Sequence, residues 1–437
     1  MAPAAPTPDP SIDPGRRRFL QATAAASTLF AVPTIIPAKA LGRDGAVAPS
    51  ERITLGGIGI RHRGGYVLDF MLQQPDVQFV AVADVRADRR QAVKEIGEKH
   101  HGPGTCDTYR DFRELLERPD IDTVLIATGD RWHAPISMLA AQAGKDVYSE
   151  KPCAISIELT RRLAETIRST GRIFQAGTQR RNVSNFRDAA ELVWSGKLGR
   201  IRTVHASIYE LVDRHDWLPE QPVPDPNEID WEMWLGPAPW RPFNRSYVDG
   251  GWRGFHDFDS GAKLLDWGAH TVDLCQWALR ADGTLPLTYE PIDLPNDNAI
   301  ECTYADGTRL ILRRNGWLGL GTCPVRYEGD DGWVETGDSG RTQVSNDTLR
   351  AELPPPSPDP GISPRLHVRE FFDCVRTRRQ PACNADVMRS SHVACHAAAS
   401  AWILGRKLTI DPATESFPND PAAEALVRRP MREPWIF

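Results

Sequence analysis

Ile53-Thr54-Leu55-Gly56-Gly57-Ile58-Gly59-Ile60-Arg61-His62-Arg63-Gly64-Gly65 is a short apolar run that enters a glycine-rich turn. Over residues 66–72 the apolar side chains take helical spacing, so the stretch reads as strand, loop, helix. Gly57 allows a tight turn. Gly59 allows backbone to approach a pyrophosphate, whose charge the free N–H groups of the helix N-terminus would hold. The third glycine of the G-x-G-x-x-G pattern is His62 here, with Gly64 and Gly65 after it. Alone, such a fingerprint is weak.

The next hundred residues give the fingerprint its context. Residues 77–83 (VQFVAVA) read as a second strand ending in Asp84, the distance at which an acidic residue accepts hydrogen bonds from ribose hydroxyls. This favours NAD, while Arg86 two residues on is placed to bind a 2′-phosphate and keeps NADP open. An aspartate after a buried strand is also an ordinary turn residue. Residues 122–128 (DTVLIAT) are apolar and β-branched, 133–143 are helical in period, and 146–149 form a short strand delivering Glu150-Lys151-Pro152. Alternating strands and helices imply a mostly parallel, doubly wound sheet with its ligands at the carboxyl ends of the strands.

Lys151 is the candidate for proton transfer. A lysine serves as a base when desolvated or set beside positive charge, which a nicotinamidium ring would supply. Further on, Leu265-Asp266-Trp267-Gly268-Ala269-His270 places a carboxylate and an imidazole four residues apart, on one face of a helix expected over 263–279. Each piece has a plain alternative: Glu-Lys-Pro as a solvated turn, Asp/His as a helix-surface pair. Their order along the chain is what joins them.

In that order the chain resembles the glucose-fructose oxidoreductase/inositol dehydrogenase/MocA family. The residues carrying the resemblance are the Gly57-Ile58-Gly59 loop, Asp84, Ala127-Thr128-Gly129-Asp130-Arg131-Trp132-His133, Glu150-Lys151-Pro152, Gln175-Ala176-Gly177-Thr178-Gln179-Arg180 and Asp266-Trp267-Gly268-Ala269-His270-Thr271-Val272-Asp273. The likeness is closest to exported members, through residues 231–240 (WEMWLGPAPW) and 371–376 (FFDCVR). It implies a Rossmann domain, here 51–170, and a C-terminal α/β domain with a large open, mainly antiparallel sheet, here 171–437. It implies catalysis by Lys151, Asp266 and His270. A dinucleotide would lie against Gly57, Gly59, Ile60, Arg61, Asp84, Arg86, Thr128, His133, Glu150, Lys151 and Gln179. A substrate would lie against Lys151, Arg180, Trp252, Arg253, Asp266 and His270. The chain departs from the family at Ser260-Gly261-Ala262, where a Gly-Gly pair is usual, and at His62 in the phosphate loop.

The ends and the composition bound the rest. Arg16-Arg17-Arg18-Phe19-Leu20-Gln21, a small apolar run over 22–33 and Ala38-Lys39-Ala40 resemble a twin-arginine export signal over 1–40 with an A-x-A cleavage site. A periplasmic protein starting near Leu41 is expected, with an N-terminal arm over 41–50; an uncleaved, membrane-tethered form is the alternative. No stretch reaches the ~20 apolar residues of a membrane span. The net charge of −6 argues against nucleic acid as a partner, since phosphate binding favours a basic face. The 8 cysteines show no C-x-x-C spacing, so neither a zinc ribbon nor a dense disulfide framework is expected, and no metal is assigned. A passenger folded before export would keep these thiols free and buried. A homo-oligomer is expected.

In the second half, residues 201–210 read as a strand. Asp306-Gly307 between 298–305 and 308–314 signals a hairpin, and 365–375 and 387–404 read as helices returning to the first domain. Residues 217–244 form a Pro- and Trp-rich irregular excursion. Its tryptophans, Trp217, Trp231, Trp234 and Trp240, with Trp252, either stack on sugar rings or form an aromatic core for the loop. Export sharpens the chemistry. NAD is scarce outside the cytoplasm, so a cofactor carried out with the folded protein must be regenerated in place. The expected activity is oxidoreduction of a secondary hydroxyl of a sugar, sugar derivative or polyol with a tightly bound dinucleotide. Redox-neutral glycoside cleavage and a non-catalytic cofactor-sensing protein are the alternatives. Because of His62, retention would need cover from residues 41–50 or the C-terminal helices.

Overall fold

A computed structural model describes residues 47–355 and 362–436; the expected export signal over 1–40 and most of the expected N-terminal arm lie outside the described residues. Six strands, β1 (Ile53–Ile58), β2 (Val77–Ala83), β3 (Asp107–Tyr109), β4 (Thr123–Ile126), β5 (Asp146–Ser149) and β6 (Phe174–Ala176), form one sheet in the order β3-β2-β1-β4-β5-β6. Every pairing in it is parallel. All residues of β4 and β5 are buried, as expected when crossover helices cover both faces of a parallel sheet. The sheet's last strand lies beyond residue 170, because β6 still pairs with β5. The helix Ile157–Thr170 that leads to it has the signals its sequence announces. Ser156 Oγ accepts from Leu159 N at 3.2 Å, and Gly171 closes the helix at φ 64°.

Eight further strands, β7 (Ile201–Ser207), β8 (Thr288–Leu294), β9 (Asp297–Thr303), β10 (Arg309–Arg313), β11 (Val325–Gly329), β12 (Gly332–Thr336), β13 (Thr342–Val344) and β14 (Leu408–Thr409), form the second sheet. Its order is β13-β12-β11-β7-β10-β9-β8-β14, antiparallel throughout except for β7 beside β10. The expected hairpin is β9–β10, with Thr303 opposite Arg309 and Gly307 at φ 84° in the turn.

The helix Leu264–Ala278 lies on this sheet, tied by Thr271 Oγ1 donating to Ser207 O (2.8 Å) and Tyr327 OH donating to Leu274 O (3.2 Å). The helix Ala385–Leu404 packs against both this helix and Ile157–Thr170. Its buried Ala394, Ala397, Ala398 and Ala401 keep that approach close, and a Cβ on Gly268 would come within 3.2 Å of Cys395 Sγ. The helix Arg365–Thr377 returns to the first sheet, as expected from its period. Val368, Phe371 and Phe372 share a core with Leu68, Phe79 and Tyr148, and Arg369 pairs with Asp76 at 2.7 Å.

In the structure the irregular excursion is longer than 217–244: it fills residues 208–263, between β7 and the helix Leu264–Ala278, and has a core of its own. Trp231, Trp234, Phe243, Tyr247, Phe255 and Phe258 bury one another, with the two indoles stacked at 4.8 Å. Each such ring contributes about 1.5–3 kcal/mol by leaving water. All eight cysteines are buried free thiols. Among the described residues no helix is long and apolar enough to cross a membrane.

Candidate active site

A cleft of about 800 Å³, open to solvent, runs along the carboxyl ends of β1, β2 and β4. Gly59, at φ 69°, forms its floor; a Cβ there would sit 2.3 Å from Thr128 Cγ2, so no side chain fits. The glycine that seats the following helix (His62–Leu72) against the sheet is Gly64, whose added Cβ would lie 2.6 Å from Ala127 Cβ. His62 opens that helix at φ 24°, and the close-packing role falls two positions later. The departure from the phosphate-loop pattern at His62 is a shift of the glycine and not its loss.

Asp84 stands at the cleft wall, accepting the Arg86 N–H at 2.9 Å. Burial lifts its carboxyl to about 6 against the opposing pull of that hydrogen bond. Arg86 also lines the cleft, but its guanidinium is held by Asp88 (2.9 and 2.7 Å) and by Asp249 (2.9 Å). A 2′-phosphate would have to compete with those carboxylates. Asp249 belongs to residues 244–252, which cross the cleft as a clasp: Arg61 Nη1 donates to Val248 O at 3.0 Å, and Val248 and Trp252 face the cleft. This covering segment comes from the excursion, where no local pattern announces it. Arg89, Arg110 and Arg131 complete a basic lining.

Arg131 joins the excursion to the first sheet. Its Nε donates to Trp234 O (3.1 Å) and Leu235 O (3.2 Å), and its guanidinium lies 3.8 Å from the Trp234 ring centroid. Burial brings it down to about 9, so it remains a cation at neutral pH.

Of the residues expected to touch a dinucleotide, Gly59, Arg61, Asp84, Arg86 and Thr128 line the cleft. Ile60 is packed in the core with Phe79, and Gly57 is closed off by the same ring. His133 is buried with its ring nitrogens on Pro152 O (2.6 Å) and Thr128 O (3.2 Å), pinning the β4 and β5 loops together. Glu150 is buried behind Gly177 and pairs with Arg63 at 3.5 Å. The Gln179 amide, oriented to satisfy both its ends, accepts from Arg63 Nη2 at 3.0 Å and donates to Gly177 O at 2.9 Å.

Beyond the cleft lies the second cluster. Lys151 Nζ contacts Asp266 twice, at Oδ1 (2.8 Å) and at the backbone oxygen (2.6 Å). Its immediate partner is thus a carboxylate, and of the two conditions the sequence set for a lysine base the structure meets desolvation, the side chain being 14% exposed. Burial works against ionisation of Asp266, yet the charges of Lys151 and then Arg253 outweigh it and hold the carboxyl below the usual range. His270, one turn further on, is buried with Nδ1 unpartnered. Desolvation first, then the charges of Arg180, Lys151 and Arg63, keep its imidazole neutral well below the usual range. Arg180 is itself fixed by Asp338, through Nε (2.8 Å) and Nη2 (2.6 Å), with Nη1 left over.

Arg253 is the junction between cleft and cluster. It lies over the Trp252 ring, pairs with Asp130 and Asp259 at 3.2 Å, and approaches Asp266 at 3.5 Å. Asp130 and Asp259 are both buried; desolvation and then the charge of Asp130 push Asp259 well above the carboxylate range. Sequence reasoning assigns a role to neither. Asp130 lies within the 127–133 motif, where a closer look could have found it, but nothing local to Asp259 signals its partner. Of the five candidate sugar platforms, Trp231 and Trp234 are core, Trp234 also reaching the cleft that Trp252 lines, and Trp217 and Trp240 are exposed as a mutual edge-on pair at 6.1 Å.

The chain is similar to several known proteins. It is 30% identical over 146 residues to myo-inositol 2-dehydrogenase of Thermotoga maritima, covering 33% of this chain and 42% of that one. It is 33% identical over 173 residues to a glycosyl hydrolase family 109 protein of Saccharopolyspora erythraea, covering 36% and 37%. The chain thus spans about two fifths of the length of these curated relatives. Among solved structures, the aldose-aldose oxidoreductase of Caulobacter crescentus superposes with a TM-score of 0.58 at 19% identity, over 82% of this chain and all of that one, which is a likeness of fold. Residues 53–178 match the model of the oxidoreductase family's NAD-binding Rossmann fold, and residues 187–437 match that family's C-terminal alpha/beta domain. With both halves matched in order and more than half of its length under the second alone, the chain belongs to the Gfo/Idh/MocA oxidoreductase family.

Proposed function

We propose that this protein is an NAD(P)-dependent oxidoreductase acting on a secondary hydroxyl of a sugar, sugar derivative or polyol. The observation that carries the reading is the contact of Lys151 Nζ with Asp266 beside a neutral, unpartnered His270, reached from the cleft through Arg253. The cleft fits a dinucleotide: Gly59 leaves room for phosphate against backbone, Asp84 offers a ribose acceptor, and Arg61 and Arg89 supply positive charge. When bound, the nicotinamide supplies hydride acceptance and donation. The chain's residues handle the proton. His270, held neutral, accepts or donates a hydrogen bond at the reacting hydroxyl, Lys151 carries the proton, and Asp266 orients the Lys151 ammonium.

NAD is the favoured cofactor, since Asp84 stands where a 2′-phosphate would be repelled and Arg86 is already engaged. Export through a twin-arginine signal, a periplasmic location, a homo-oligomeric state and retention of the cofactor through turnover belong to the same proposal. The clasp over 244–252 supports retention. A second reading, redox-neutral glycoside cleavage by transient oxidation, is favoured by the similarity to the glycosyl hydrolase family 109 protein.

The test is to denature the purified mature protein and identify the released nucleotide by mass. The native protein is then offered sugars, polyols and aryl glycosides. Nicotinamide reduction seen by absorbance with a sugar or polyol is the expected result. Glycoside release without net reduction would favour the second reading, and a protein that binds no dinucleotide would refute both.

A further inference from the structure

Away from the Lys151 cluster, the start of the excursion brings together three side chains that take no part in the chemistry at that cluster. His215 Nε2 lies 2.9 Å from Asp213 Oδ2, and His256 Nδ1 lies 2.9 Å from Asp213 Oδ1. One ligand atom from each residue falls within 4.8 Å of those of the other two. The two imidazoles stack with their centroids 4.7 Å apart. The backbone fixes this meeting. Val212 N donates to Ala262 O (3.0 Å), Arg214 N to Gly254 O (2.8 Å) and His256 N to Arg214 O (2.8 Å), so the two segments run side by side. Asp213 and His256 are 43 residues apart, which is why no ligand spacing is visible in the sequence.

We propose that Asp213, His215 and His256 bind a divalent transition metal of the zinc class. Two imidazoles and a carboxylate are borderline donors that suit zinc, and three protein ligands leave positions for water. Bonds of about 2.0–2.2 Å in a tetrahedral site set donors roughly 3.4 Å apart. Each imidazole lies 2.9 Å from a different Asp213 oxygen and one donor from each residue falls within 4.8 Å of the others, so the set has to draw in slightly, which the exposed His215 is free to do. His215 and His256 both border a cavity also lined by Pro237, Asp257 and Arg429, which gives the open positions room. Arg429 also faces this space, with Asp213 and Asp257 among the acidic groups whose charge acts on it. On binding, each ring proton now directed at Asp213 would move to the other nitrogen of its imidazole, and the freed lone pairs would take the ion.

Such an ion would staple the first segment of the excursion to the turn before Asp259, the carboxylate that holds Arg253. Its role is structural support of the substrate side and lies outside the proposed chemistry.

The experiment uses the full mature chain, stripped with chelator and titrated with zinc by equilibrium dialysis, with cobalt absorption reporting the ligand geometry. One ion per chain is expected, with a raised melting temperature. His215→Ala should weaken binding at least about tenfold, the low end of what even a ligand's hydrogen-bond partner contributes. Asp213→Asn should do the same while keeping the shape of the cluster. Absence of stoichiometric zinc in the wild type overturns the proposal, leaving a hydrogen-bonded Asp–His cluster. Binding that persists unweakened in both variants also overturns it, since the ion would then sit elsewhere.

Discussion

The two sides of the site are built in opposite ways. On the dinucleotide side, Gly59, Asp84, Thr128 and Lys151 each come at or just after the end of a parallel strand, so chain order alone sets them along one edge. The cover of that cleft and its junction with the Lys151 cluster, namely the clasp over 244–252, Arg253 and Asp259, come from an irregular segment whose place is fixed by an aromatic core and by Arg131 reaching Trp234 and Leu235. The first is specified locally, the second by contacts across about a hundred residues. A local motif can be tested by changing one residue, whereas an excursion is tested through its core.

The sharpest break is at the shared residue. Lys151→Met should lower turnover by about 10²–10⁴ while dinucleotide binding, measured by fluorescence titration, stays near wild type. Near-normal turnover would leave Lys151 as a partner of Asp266 and nothing more.

Trp234→Ala should cost about 3–5 kcal/mol of stability in denaturant unfolding, the usual cost of emptying a large buried ring site. It also removes the face beneath Arg131. If stability holds and only sugar affinity falls, the excursion is a binding platform and the contrast between the two sides collapses.

Gly64→Ala should cost about 1–3 kcal/mol, because a methyl 2.6 Å from Ala127 Cβ must push helix from sheet. His62→Gly should gain no cofactor affinity. Tighter binding on restoring glycine at 62 would show that the shifted glycine does not substitute.

The smallest effect is electrostatic. With its carboxyl raised to about 6, Asp84 is ionised above that pH and protonated below it, so NAD affinity should fall as pH drops through 6. The loss is about 1 kcal/mol, the difference between a charged and a neutral acceptor. For folding the sign is the reverse. A buried carboxyl whose folded value exceeds its unfolded one favours the native state most at low pH, and this advantage is lost as pH rises through 6. Asp84→Asn should remove the pH step, and Asp84→Ser should relax the preference toward NADP. A flat NAD titration between about pH 5 and 8 in the wild type would contradict the assignment of Asp84 to the ribose.

These effects track the line between what is legible in the sequence and what is not. β1, β2, β4, β5, the lysine loop and the Asp266/His270 helix can be read because each depends on period and on residues adjacent in sequence, whereas β3, only three residues long, carries no such pattern. The role of Gly64 cannot, since it depends on Ala127 across the sheet. The partners of Arg86 and Arg180, namely Asp249 and Asp338, are separated from them by 163 and 158 residues, and pairing charges over such distances has no signature in one sequence. The tryptophans mislead in part because a ring that buries itself and one that stacks on sugar have the same composition signal.

The buried thiols give the chain a set of internal clocks. Cys106 and Cys374 sit in the core beneath the first strands, Cys153 and Cys383 in the one behind the lysine loop, and Cys275, Cys302 and Cys395 in that of the second sheet. A thiol reagent can reach each only when its own region opens, so labelling rates read by mass would report three opening free energies from one unmodified sample. A ligand that truly bridges the two sides would slow more than one of these clocks at once.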